Sequence, residues 1–235
     1  ASAPYENLDS DSHLGLELEL YHKNKVGEFS YEVKTMMSVT RQKHLVASQN
    51  GGYGNSYDKW RHDNLNNRYQ GVQFGYEAAG RYESWEDIWS YDIYKENNLL
   101  PGDYKYLDWN GDGEINGYDA HPIAFDQTPW MNYSLSFSLA WKGLDFSMLW
   151  QGSALGSMKY SEPLYNIWGS TGGGTLVQYL DRWHPTETGA DIYDPETEWI
   201  PGYYGFTGHY PDENSSFNRV STAFLRLKSV EVGYT

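Results

Sequence analysis

Cysteine is absent from the 235 residues, which removes disulfide bracing, thiolate metal sites and a cysteine nucleophile together. Basic residues are scarce: 17 Lys and Arg stand against 32 Asp and Glu, a formal net charge of -15. A surface of that sign repels a phosphate backbone, so nucleic acid is excluded as a partner. No apolar run reaches the roughly 18 residues of a membrane-crossing helix. The opening residues, Ala1-Ser2-Ala3-Pro4-Tyr5, lack the basic and apolar regions of a signal peptide. Catalytic signatures are missing as well. There is no H-E-x-x-H and no G-x-S-x-G, and Gly172-Gly173-Gly174 lacks the Lys-Ser/Thr of a phosphate loop. Glu83, Glu86 and Asp87 supply carboxylates without defining a pair across a sugar ring. No catalytic residue is expected, and the chain is not expected to be an enzyme.

What is present is aromatic and strand-like. Tyr (22) and Trp (10) are abundant although hydrophobic residues make up only 39%, a balance that suits strands, turns and rings placed at a boundary between oil and water. Leu14, Leu16, Leu18 and Leu20 alternate with Gly15, Glu17 and Glu19 in a strict period of two. After a polar turn expected over His22 to Gly27, the alternation resumes through Phe29, Tyr31, Val33, Thr35, Met37 and Val39. A second hairpin is expected over Trp130 to Gln151. There Met131, Tyr133, Leu135, Phe137, Leu139 and Trp141 alternate with serines and Asn132, and Lys142-Gly143 makes the turn into Leu144, Phe146, Met148 and Trp150. Bulky apolar residues opposite serines are odd for a soluble sandwich and suit a wall between lipid and a water-filled lumen, with Trp141 and Trp150 in a lipid-facing girdle. The last strand, Phe224 to Tyr234, changes apolar parity between Leu227 and Val230, which predicts a bulge there. Between the hairpins, Ser48 to Asn67 reads as a loop, Tyr69 to Tyr82 as a strand pair, and Trp85 to Trp89 as a short helical turn. Residues 152–222 show little periodicity and are expected to form a long loop region.

Asp108-Trp109-Asn110-Gly111-Asp112-Gly113-Glu114-Ile115-Asn116-Gly117-Tyr118-Asp119 has the form D-x-N-x-D-G-x5-D. Calcium takes six to eight oxygens at roughly 2.3 to 2.6 Å, and only a tightly curled loop converges that many. Asp108, Asn110 and Asp112 would give side-chain oxygens, Glu114 its backbone carbonyl, Asn116 a direct or water-mediated contact, and Asp119 the closing carboxylate. Asp119 stands where such loops usually carry Glu, and its shorter side chain weakens bidentate closure. The expected role is structural, in a segment spanning 101–122. The plainer alternative is an Asp/Asn/Gly-rich turn that binds nothing.

Four segments together resemble the SusC/RagA class of TonB-dependent outer-membrane transporters. They are Gly15-Leu16-Glu17-Leu18, Pro101-Gly102-Asp103-Tyr104-Lys105-Tyr106 running into the acidic loop, Asp181-Arg182-Trp183-His184-Pro185, and Leu225-Arg226-Leu227-Lys228 with Gly233-Tyr234-Thr235. The resemblance implies an all-β fold, part of a large antiparallel transmembrane β-barrel that is 22-stranded when complete, with long extracellular loops that take in 101–122 and 152–222. It implies a partial barrel over 1–235 that lacks the N-terminal plug and the final strands. It also implies a SusD-like lipoprotein lid, the TonB complex acting through the plug, and an outer membrane of a Gram-negative bacterium with the loops facing outward. About six strands are legible, too few to close a pore. The function implied is import of nutrient oligomers, chiefly oligosaccharides and in some members peptides. Loop aromatics, namely Trp85, Trp89, Trp168, Trp183, Trp199, Tyr203 and Tyr204, could stack on sugar rings, and the blander reading is that they pack loops or meet the lid. Two other classes share part of the pattern: a secreted calcium-binding lectin or carbohydrate-binding module, and a β-rich glycosidase. Neither explains leucine on every even position beside a polar face.

Overall fold

The computed structural model describes residues 7–47, 65–91, 93–94, 98–161, 164, 176–206 and 209–235. Trp168, Gly172-Gly173-Gly174 and most of the Ser48 to Asn67 loop lie outside the described residues.

Five long strands form one antiparallel sheet. They are β1 (Ser10–Val26), β2 (Phe29–Val46), β9 (Met131–Trp141), β10 (Leu144–Ala154) and β15 (Phe224–Tyr234), in the order β1-β2-β9-β10-β15. Among the described residues, ten shorter strands and a six-residue helix lie between them in the chain. These are β3 (Gln73–Gly75), β4 (Ala78–Arg81), α1 (Trp85–Ser90), β5 (Ile93–Tyr94), β6 (Tyr104–Tyr106), β7 (Glu114–Ile115), β8 (His121–Ala124), β11 (Ser157–Lys159), β12 (His184–Pro185), β13 (Trp199–Ile200) and β14 (Arg219–Ser221). Among the described residues the fold is all-β apart from α1, a helical residue at Leu164 and short 3-10 turns. The described strands do not close into a barrel, and five long strands stand where about six were expected.

Register turns the sequence rhythm into two chemically different faces. Leu16 pairs with Val39, Leu18 with Met37 and Leu20 with Thr35; Val33 pairs with Phe137 and Tyr31 with Leu139. Phe137 continues to Met148 and Leu139 to Phe146, and those continue to Val230 and Val232. One apolar face therefore crosses all five strands in the row Leu20, Thr35, Leu135, Trp150 and Leu227, while the Val33 and Tyr31 rows end on His22 and Asn24 in β1. The opposite face carries Glu17, Glu19, Ser38, Ser134, Ser136, Ser138, Ser147 and Ser229 in the same registers. Along β9 the apolar run is about 34 Å of strand, or about 25 Å of height at the tilt usual in barrels, which matches a lipid-facing band.

Among the described residues most side chains of the sheet are exposed or half-buried, Ser153 of β10 being buried. Leu14 is 71% exposed and Val232 70%. Exposed leucine and valine of that degree mark a contact surface, for protein or for lipid. Phe29, Trp141, Leu144 and Tyr234 form one row at the short-turn end, where aromatic girdles sit.

The hairpin ends follow from turn chemistry. Lys142 (φ 49) and Gly143 (φ 85) both adopt positive φ, the two-residue turn whose twist matches the strands. The first hairpin departs from the sequence reading: β1 runs on to Val26, and the turn is Gly27-Glu28. His22 to Lys25 lack bulky apolar residues, but their backbone pairs with Ser30 to Val33, and Lys23 meets Glu32 at 3.7 Å. The bulge in β15 is present. Leu149 pairs with Ser229 and Trp150 with Leu227, so Lys228 is the extra residue that restores Leu225 and Leu227 to the apolar face.

The buried core lies in the connecting segments. Tyr82, Leu100, Tyr104, Tyr106, Ile115, Tyr179 and Trp183 are all below a tenth exposed. Tyr69 to Tyr82 does hold two strands, but they do not pair with each other as expected: β3 pairs with β8 and β4 with β6. The partners lie well downstream, where no local pattern could announce them. α1 forms as expected, started by Ser84, whose hydroxyl accepts from the Asp87 N–H at 3.2 Å.

Candidate functional site: the loop layer beyond the sheet

The Pro101 to Tyr106 segment is the hub of this layer. Tyr104 and Tyr106 of β6 are buried, and Phe217 meets both rings edge-on at 4.9 and 5.9 Å. Tyr104 and Tyr106 hydroxyls accept from the Gly205 and Asp212 N–H groups at 3.4 and 2.7 Å, and burial pushes both phenols up. Between them, Lys105 forms an ion pair with Asp87 of α1 at 2.6 Å. Asp103 is 3% exposed. Its carboxylate meets His209 Nδ1 at 2.7 Å and accepts the Leu100 N–H at 2.6 Å, while its Oδ1 is buried without a partner. Burial pushes this carboxyl up against the pull of His209. Arg81 donates to the Gly102 carbonyl at 2.7 Å and to that of Tyr203, with its guanidinium 3.7 Å from the Tyr104 ring centroid.

Beside this hub opens a cavity of about 500 Å³ lined by Arg81, Tyr104, Tyr160, Tyr203, Tyr204, Phe217 and Asn218, among others. The buried Asn218 amide oxygen has no hydrogen-bond partner. Aromatic walls with one cation suit a neutral, hydroxyl- or amide-bearing group.

Of the aromatics singled out from sequence as ligand contacts, Tyr203 and Tyr204 line this cavity, Tyr203 being 59% exposed. Trp85 and Trp89 form a tilted pair 6.0 Å apart, joined by Tyr193 at 6.5 Å from Trp85, and Trp89 is 67% exposed. Trp199 packs edge-on against Phe206 at 5.5 Å with its indole N–H buried and unpartnered. Trp183 is 7% exposed and pressed against Gly102, so the structure gives it a packing role with no ring face for a ligand. The aromatics are thus spread over separate places in the loop layer. Sequence reading missed Arg81, Tyr104, Phe217, Asn218 and the Asp103–His209 pair. Asp103 and Tyr104 lie inside the quoted Pro-Gly-Asp motif, while Arg81, Phe217 and Asn218 carried no local signal.

The acidic loop is curled by its own side chains. Asp108 accepts from the Gly111 and Gly113 N–H groups at 2.7 and 2.8 Å, Asn110 from Asp112 at 2.9 Å, and Asp112 from Glu114 at 2.9 Å. Asp119 is fully buried and accepts from Trp109, Asn110 and Asn116 at 2.9, 3.3 and 2.7 Å. Gly113 turns at φ +85, and Ile115 is 1% exposed in the core. The Gly113 N–H leads in holding the Asp108 carboxyl below its usual range, against some desolvation; Gly111 and the adjacent Asp119 carboxyl add to the lowering. The structure brings Asp108 next to Asp119, and the Asn110 amide within 2.8 Å of Asp112. Among the described residues no group of three or more His, Cys, Asp or Glu side chains stands close enough to hold a metal ion by itself. Any ion here would draw on Asn110 and backbone oxygens as well as on the carboxylates. The all-oxygen donor set, with lone pairs left on each carboxylate, fits a hard divalent cation.

No known family pattern matches the sequence, and no curated protein matches it. Among solved structures the fold is similar to the RagAB peptide transporter, with a TM-score of 0.62 at 15% identity. It is also similar to the RagAB peptide importer in the 'closed-closed' state (0.57, 15%) and in the 'open-open' state (0.56, 16%). Each alignment takes in 98% of this chain and 23% of the other. The chain spans about a quarter of the length of those structures, and the likeness is one of fold: that of a section of a peptide importer.

Proposed function

We propose that this chain is a section of the wall and outer loop layer of an outer-membrane, TonB-dependent importer of nutrient oligomers, working with a SusD-like surface lipoprotein as its lid. The observation that carries this reading is the apolar face that crosses five strands and is open to its surroundings, backed by a serine-rich face. In this reading the short turns at Gly27 and Lys142 face the periplasm, the loop layer faces outward, and the plug that engages the TonB complex belongs to the rest of the polypeptide. No catalytic residue is assigned.

Asp108, Asn110, Asp112, Glu114, Asn116 and Asp119 would hold a structural calcium ion, which would pin a loop anchored in the core by Ile115 and the buried Asp119. The cargo we favour is an oligosaccharide, met by Tyr203 and the cavity beside it and by the exposed Trp89 next to the half-buried Trp85. A peptide cargo is the second reading, supported by the fold shared with peptide importers.

Deleting the gene in its host and following uptake of labelled oligosaccharides and peptides tests this. Loss of oligosaccharide uptake, with the protein extracted from outer membranes only by detergent, is expected. Loss of peptide uptake alone would favour the second cargo. A protein that stays soluble and monodisperse without detergent would overturn the importer and favour the secreted lectin.

A further inference from the structure

We infer that the outer rim of the apolar face, at Arg41 and Lys43, binds the phosphate group of an anionic lipid of the surrounding leaflet. This rests on the membrane-wall reading above. Arg41 and Lys43 continue the odd-numbered face of β2 directly beyond Met37 and Val39, and Arg41 pairs with the exposed Leu14. They are therefore the first cations met on leaving the apolar band on the lipid side.

Rings rather than carboxylates hold them. The Arg41 guanidinium lies 3.5 Å from the Tyr69 ring centroid and 4.6 Å from that of Trp130, and Lys43 Nζ lies 5.9 Å from Tyr69. Trp130 in turn meets Phe125 edge-on at 5.1 Å. Arg41 Nε is shielded from water without a hydrogen-bond partner. Among the described residues neither cation has an ion pair with a carboxylate.

The nearest acid in register, Asp11, projects from the opposite face, where His44, Gln42 and Gln70 occupy it at 2.7, 3.2 and 2.9 Å. In a chain of net charge -15, two cations with no carboxylate partner among the described residues sit interleaved with aromatic rings at the level of the lipid headgroups. Aromatics fix the depth of a wall in the bilayer, long cationic side chains reach the interface, and each cation there attracts an anionic headgroup. The chemistry selected is a lipid-borne phosphate.

The test uses the full-length transporter in phosphatidylcholine nanodiscs, with and without bis-phosphorylated lipid A, and scores bound lipid by native mass spectrometry. Lipid A should bind the native protein and bind the double variant Arg41→Gln, Lys43→Gln about tenfold more weakly. Lys43→Arg should retain binding. Should the double variant fail to assemble, Lys43→Glu alone should weaken lipid A binding while leaving phosphatidylcholine unaffected. Equal lipid A binding by native and variant proteins would overturn the inference, as would competition by inorganic phosphate at matched concentration. A protein that never enters the nanodisc would instead overturn the membrane wall itself.

Discussion

The indole of Trp183 occupies the space that a side chain on residue 102 would need, and Gly102 sits at φ +91. This contact joins the Pro101 to Tyr106 hub to the segment that returns from Asp181, so two stretches about eighty residues apart depend on one missing Cβ. Gly102→Ala should destabilise the loop layer by about 2 to 4 kcal/mol, through steric overlap and a left-handed backbone together. Limited proteolysis of the full-length protein should show faster cleavage in the loops with the sheet intact.

Two buried or curled carboxylates predict opposite responses to pH. Burial raises Asp103, so the protonated form favours the folded state. Its contribution is full below the ordinary carboxylate range and falls as pH rises through the raised value. Asp108 is lowered, chiefly by the Gly113 N–H. Its contribution is present above the ordinary value and is lost as pH falls through the depressed one. Amide exchange across 98–119 should therefore lose its alkaline-side weakening in Asp103→Asn and its acid-side weakening in Asp108→Asn. Unchanged profiles in both variants would contradict these assignments.

Removal of calcium should loosen the acidic loop. In the extracellular affinity range, around 10⁻⁴ to 10⁻³ M, a chelator should raise amide exchange over Trp109 to Asp119 in the full-length transporter. Added calcium should restore protection, and Asp119→Ala, which also strips three backbone N–H groups of their acceptor, should abolish the response. Exchange that ignores the chelator in the native protein would reduce the loop to a turn braced by its own carboxylates.

The two faces of β9 should respond differently to one substitution. Phe137 lies mid-band in the row Val33, Phe137, Met148, Val230, and Phe137→Arg should cost about 2 to 4 kcal/mol in a lipid bilayer. Ser136→Arg, one residue away on the other face, should assemble normally. Urea unfolding in detergent-free vesicles separates the two, and equal costs would deny the asymmetry.

The sheet was legible because a strict period of two, with large apolar and small polar residues, admits a single facing, and a one-residue slip would invert every strand. The same rhythm exposed the bulge at Lys228, since Leu227 and Val230 cannot share a face without an extra residue. It failed at His22 to Val26, where pairing continues without an apolar signal, and at β3 and β4, whose partners His121–Ala124 and Tyr104–Tyr106 are remote in sequence. In the loop layer the sequence could list aromatics but not sort them. Trp183 and Tyr203 look alike as letters, yet one is wedged against Gly102 and the other opens on a cavity. Backbone curvature set by distant contacts decides between those fates.

Nitroxide spin labels offer the most direct measurement, since this sequence contributes no cysteine to compete with engineered single-cysteine sites. Labels at Val33, Phe137 and Val230 should collide readily with oxygen dissolved in lipid and little with a water-soluble nickel chelate, while labels at Lys34, Ser136 and Ser229 should show the reverse. Labels on both faces that meet the aqueous chelate equally would contradict a lipid-facing wall.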